Sequence, residues 1–148
     1  GEDPAPWLIA TLARLGDAVP DTITLGYHLC YGSMGNRHWK EPDDLGKCVS
    51  AANAISKGVT RRIDFFHVPV PIDRDDDAYF APLDRLTVSD DTLIYLGLIH
   101  GADGADGAAR RIAAARKHLD RFGLSTECGW GRMDAAEVTP LLELHGAL

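Results

Sequence analysis

The segment Gly26-Tyr27-His28-Leu29-Cys30-Tyr31-Gly32 sets an imidazole and a thiol two residues apart. It closes an alternating run. Ile23, Leu25, Tyr27 and Leu29 fall on one side of an extended chain, and Thr24, Gly26, His28 and Cys30 on the other. Residues i and i+2 of a strand point the same way, as two ligands of one ion must. Imidazole together with thiolate suits zinc, which is normally four-coordinate. Taken singly, each residue also has a plainer reading: a strand-end histidine that only hydrogen-bonds, and a cysteine that only packs. With no C-x-x-C pair in the chain, a zinc ribbon or finger is not the source of the pattern.

The elements that must position this pair can be read from periodicity. Trp7, Leu8, Leu12 and Leu15 recur at helical intervals over 5–17, up to Gly16. A strand over 22–30 precedes a helix over 43–57, with Asp43 or Asp44 as its cap and Gly58 as its stop. A second strand, 61–70, runs into an acidic stretch, 71–86, expected to be an irregular loop. The third strand, 92–100, is almost wholly apolar, as a strand covered on both faces should be. A helix over 107–120, a short strand over 123–128 and a helix over 134–146 opening at Asp134 complete the chain.

Strands that alternate with helices predict an α/β fold of parallel βα units. About four such units make half of a TIM (β/α)8 barrel, whose usual size is about 250 residues; a small open sheet is the alternative. The expected strands end at His28 and Cys30, His67, His100, and Cys128. In parallel α/β architectures all strand C-termini share one face, and that face carries the active site. Five imidazole or thiol residues on four successive strand ends are harder to assign to packing than any one alone.

The bulk properties narrow the partners. The 148 residues suffice for one core, and a formal charge of −7 argues against nucleic acid or an anionic membrane surface as a partner. No apolar run reaches the roughly 18 residues of a membrane span, and the first residues lack the pattern of a signal peptide. Three cysteines, 30, 48 and 128, cannot all pair, so free thiols or metal ligands in a cytoplasmic protein are expected.

"LGYHLCYG", "IDFFHVPVPIDRDDDAYFAPL", "IYLGLIH" and "FGLSTECGWGR" together resemble the C-terminal catalytic barrel of cobalamin-independent methionine synthase. They resemble still more closely the uncharacterised bacterial proteins grouped with that enzyme and with uroporphyrinogen decarboxylase. The resemblance covers most of 22–132, and H-x-C and "ECG" (the family's "DCG") are its most specific parts. It implies that residues 1–148 are the C-terminal half of a methyltransferase-like TIM barrel, part of a longer chain. It implies zinc ligands at His28, Cys30 and Cys128. The family's remaining ligand is a glutamate on the intervening strand, and His67 stands at the matching place. That departure either makes a His2Cys2 site or removes the metal from this branch.

The chemistry implied is transfer of a methyl group from a donor of the methyltetrahydrofolate type to a thiol such as homocysteine. His100 would carry the proton for the departing nitrogen, against the plainer reading of a hydrogen-bonded strand-end residue. Two other readings stay open: decarboxylase-like or corrinoid-linked chemistry on the same barrel, and an incomplete, noncatalytic domain with a structural or vestigial site. Segments on earlier barrel strands, which grip the acceptor in the family, have no counterpart here. The missing half-barrel would come from the same chain, from a second copy or from another protein.

Weaker candidates complete the reading. Asp73, Arg74, Asp75, Asp76 and Asp77 would organise a loop more readily than hold a hard cation, since successive carboxylates cannot all converge. Cys48 is most simply a packing residue, and Glu127 is expected to point away from Cys128. Trp39 and Trp130 would stack on a planar ligand or cover an apolar rim. "GADGADG" offers helix-start amides to an anion, without a phosphate-loop lysine or G-x-G-x-x-G pattern to support it.

Overall fold

The structure, a computed structural model, describes residues 4–32, 40–131 and 133–148. The chain runs α1 (Pro6–Asp17), β1 (Gly26–His28), α2 (Gly46–Gly58), β2 (Phe65–Pro69), α3 (Asp77–Phe80), a 3-10 turn (Ala81–Arg85), β3 (Leu93–Ile99), α4 (Gly104–Ala115), β4 (Gly123–Thr126) and α5 (Ala135–Ala147). Every strand pairing is parallel, and the order β1-β2-β3-β4 follows the sequence. Four parallel strands joined by helical crossovers are half of a TIM barrel, as the alternation of elements predicts.

One face of the sheet is sealed by the helices. Phe66, Val68, Ile94, Leu96 and Leu98 are buried there against Cys48, Val49, Ala52 and Ile55 of α2 and Ala108, Ala114 and Ala115 of α4. The α2 set recurs at i, i+1, i+4 and i+7, the stripe a helix lays on a sheet. The other face holds alternate strand positions that stay half-buried or exposed: His28 on β1, Phe65 and His67 on β2, Tyr95 on β3. In a closed barrel this is the interior.

Small residues set the spacing of that inner face. A side chain at Gly26 would occupy the Phe65 ring, and one at Gly123 the Tyr95 ring. The two rings meet edge to face at 5.5 Å. Phe65 pairs with Gly26 of β1 and Tyr95 with Gly123 of β4, and His28, His67 and Tyr95 stand in register across β1, β2 and β3.

The reading of the acidic stretch needs correction. The stretch 71–86 is not irregular: Asp76 caps α3 by accepting the Tyr79 N–H at 3.0 Å, and Tyr79, Phe80, Pro82 and Leu83 are buried. Four apolar residues among the charges are enough to fold this segment onto the core. In α1 the residues that mark the helical period are not the ones it buries. Trp7, Leu8 and Leu15 are exposed, while Ala13 and Gly16 are buried. Small residues let α1 approach α2 closely, and a Cβ at Gly58 would come within 3.2 Å of the Ala13 methyl.

Boundaries shift elsewhere. β1 keeps only three residues of the expected strand, and α4 begins at Gly104 and ends at Ala115. Among the described residues no helix is long and apolar enough to cross a membrane.

Candidate metal centre

His28 closes β1, and Cys30 follows it into the loop. Gly32 takes a left-handed φ of 84°, and the turn it makes brings its N–H to the Cys30 sulfur at 3.3 Å. Cys128 sits just past β4, and Thr126 holds its loop. The Thr126 hydroxyl donates to the Cys128 carbonyl at 3.0 Å and accepts from Trp130 Nε1–H at 2.8 Å. Trp130 thus pins the loop and packs on the core. Trp39 lies outside the described residues.

These turns bring His28, Cys30 and Cys128 together, one ligand atom from each within 4.8 Å of the others. Among the described residues no other group of three such side chains gathers in this way. One imidazole nitrogen and two thiol sulfurs are a donor set that fits zinc. His28 and Cys30 are exposed and Cys128 half-buried, so the group opens onto the uncovered inner face.

His67 lies outside that group. Its Nδ1 faces His28 Nδ1 at 2.5 Å, and its Nε2–H donates to the Thr126 carbonyl at 3.0 Å. Partial desolvation lowers the pKa of both rings, and His28 lowers that of His67 further, which favours the neutral form that ligation by imidazole requires.

His100 directly follows β3, and its Nε2–H donates to the Val70 carbonyl at 2.8 Å. Cys48 is buried, and its thiol donates to the Tyr31 hydroxyl at 3.3 Å. Burial pushes its pKa up to about 11. It is a packing thiol.

The acidic stretch is neutralised by its neighbours rather than gathered for a cation. Asp76 pairs with Arg74, Asp75 with Arg110, and Asp77 with Lys117 and His118. The start of α4 is likewise supplied from within, since the Asp103 carboxylate lies where a Gly107 side chain would stand.

Two site residues escaped the sequence reading. Thr126 is unremarkable by type. Gly97, inside the apolar run "IYLGLIH", is the kind of strand glycine that marks a close approach, and the ring that approaches it is His67.

A hollow between α1 and α2, lined by Ile9, Ala13, Asn53 and Lys57, shares no residue with this centre.

No family profile and no curated protein matches this sequence. Among solved structures, the chain is similar to one from Listeria monocytogenes described as a "putative vitamin-B12 independent methionine synthase", at 22% identity and a TM-score of 0.55. The match covers 99% of this chain and 40% of that one, so the chain spans less than half the length of its structural neighbour. At that identity the likeness bears on the fold alone, that of parallel βα units.

Proposed function

We propose that this chain carries the metal-bearing half of a zinc-dependent methyltransferase barrel of the methionine-synthase type, acting on a thiol. The observation that carries the reading is the meeting of His28, Cys30 and Cys128 at the C-terminal ends of a parallel sheet. Zinc bound there supplies a Lewis acid that lowers the pKa of an incoming thiol and offers it as thiolate at neutral pH.

The protein's own residues do the rest. Gly32 N–H steadies the Cys30 sulfur, and Thr126 with Trp130 fixes the Cys128 loop. The acceptor's sulfur forms a bond to the methyl carbon as the donor's C–N bond breaks. The nitrogen keeps the electron pair and takes a proton. His100 is the residue we assign to that proton. With its Nε2–H held by Val70, the proton would leave from Nδ1.

A complete barrel is part of the proposal. Phe65 and Tyr95 present rings to an inner face that nothing in the described residues covers, and Trp7, Leu15 and Ile23 expose apolar surface beside β1. β1 and β4 are sheet edges. Four further βα units, from the same chain, a second copy or another protein, would cover all of these.

The test is metal content after purification without added metal, for the parent protein and for His28→Ala and Cys128→Ala. About one zinc per chain, lost in both folded variants, is expected. A folded parent protein without zinc that also fails to take it up on titration overturns the reading and turns attention to the metal-free decarboxylase-like branch.

A further inference from the structure

His67 crosses a strand to make its hydrogen bond. It belongs to β2, its partner carbonyl to Thr126 on β4, and β3 runs between them. The crossing is possible because β3 has Gly97 at that point. A Cβ there would stand 3.0 Å from His67 Nε2, 2.9 Å from the Thr126 carbonyl oxygen and 2.7 Å from Glu127 Cα. On the other side, the His67 and His28 rings lie within 17° of parallel with centroids 4.7 Å apart, while their Nδ1 atoms are 2.5 Å apart. That combination describes rings meeting nitrogen to nitrogen along their edges, not face to face.

A carbonyl oxygen only accepts, so His67 Nε2 must carry its proton. In a neutral ring that leaves Nδ1 bare. Two bare nitrogens do not face each other at this distance, so the proton between the rings sits on His28 Nδ1, and His28 Nε2 keeps its lone pair. We infer that His67 is a positioning residue, which fixes His28 as the Nδ1-protonated tautomer and offers its Nε2 as the ligand atom, through a relay anchored on the Thr126 carbonyl and passing over Gly97. The inference rests on the zinc reading for its purpose but not for its geometry. It leaves three protein ligands and an open fourth position, where an acceptor thiol would bind. A histidine that donates its other N–H to an orienting partner is a recurrent feature of metal sites, and loss of such a partner costs about 10–100-fold in metal affinity.

The relay is read first on metal-free protein with 15N-labelled histidine, by a two-bond proton–nitrogen correlation spectrum. Expected are an Nδ1-protonated His28 and an Nε2-protonated His67; the opposite tautomer of His28 overturns the inference. Zinc titration and X-ray absorption then compare the parent with His67→Gln and His67→Leu. Glutamine can accept from His28 and donate to Thr126 but is a poor zinc ligand. It should therefore keep one nitrogen and two sulfurs around the metal, with affinity within a few-fold of the parent. Leucine should weaken binding about 10–100-fold with the same ligand count. Two imidazoles on zinc in the parent, one of them lost in His67→Gln, would make His67 a ligand and overturn the inference. Failure of every form to take up zinc would sink the proposed function, while the tautomer spectrum would still decide the relay.

Discussion

The guanidinium of Arg111, fully buried, grips both carboxylate oxygens of Asp103, with Nη1 and Nη2 at 2.7 and 2.8 Å. Its remaining donors reach the Leu98 carbonyl at 2.8 Å and the Ile72 carbonyl at 2.6 Å. One side chain of α4 thereby ties the end of β3, the turn after His100 and the start of the acidic stretch. Removing the carboxylate would leave a buried cation with two carbonyls and no counter-charge. Asp103→Ala is therefore expected to cost about 3–5 kcal/mol of stability at neutral pH.

The sign of its pH dependence follows from the same contact. Hydrogen bonds from Arg111 hold the Asp103 carboxyl below its ordinary range. The pair's contribution is thus present above about pH 4 and is lost as the pH falls through the lowered native value. Denaturant unfolding of parent and Asp103→Ala should show a gap that is full at pH 7 and narrows below pH 4. A gap that stays constant into acid would show that the charge is not what Asp103 contributes.

What the sequence disclosed and what it hid divide along physical lines. The parallel sheet was legible because strands and helices leave different periods, and the ends of β1, β3 and β4 were legible near His28, His100 and Cys128; His67, expected at a strand end, lies inside β2, which runs on to Pro69. Parallel topology puts His28, Cys30 and Cys128 at one end of the sheet, but their convergence from its two edge strands also needs the turns after β1 and β4. His67 was legible as a residue but not as a contact. Its bond to Thr126 joins strands that do not pair and depends on a side chain Gly97 lacks, which no local pattern encodes. The folding of 77–85 was hidden by its charges, since Asp75, Asp76 and Asp77 make it look solvated until their cationic partners on 74, 110 and 117 are brought beside them.

The three thiols should separate by reactivity. Cys30 is exposed and Cys128 half-buried, whereas Cys48 is buried with its pKa raised to about 11. A maleimide or disulfide reagent at pH 7.5 should modify two thiols of the metal-free native protein, and the third only on unfolding. On the proposed ligand set, zinc should protect the same two. Mass mapping of the labelled peptides checks this. Protection of Cys48 alone, with Cys30 and Cys128 equally reactive with and without zinc, would dissociate the metal from the site.

Tyr79 anchors the folded acidic segment to the sheet. Its hydroxyl donates to the Pro69 carbonyl at 2.9 Å inside the core, and the Arg74 guanidinium lies 4.7 Å above its ring. Tyr79→Phe keeps the ring and the cation contact but leaves the carbonyl without this donor. A loss of about 1–3 kcal/mol is expected from denaturant unfolding. Zinc affinity should be unchanged, because neither Pro69 nor Tyr79 belongs to the metal group.

His100 can be separated into a structural and a chemical role by one substitution. Glutamine in its place can still donate an amide N–H to Val70, so His100→Gln should change stability by less than about 1 kcal/mol and leave zinc content untouched. It cannot carry a proton near neutral pH. If His100 protonates the departing nitrogen, methyl transfer by the complete barrel should fall by about 10²–10⁴-fold, the range expected for loss of a positioned general acid. Turnover measured beside unfolding free energy and metal content distinguishes the roles. Unchanged turnover would leave His100 as the residue that joins the ends of β2 and β3, and would move the proton to another donor.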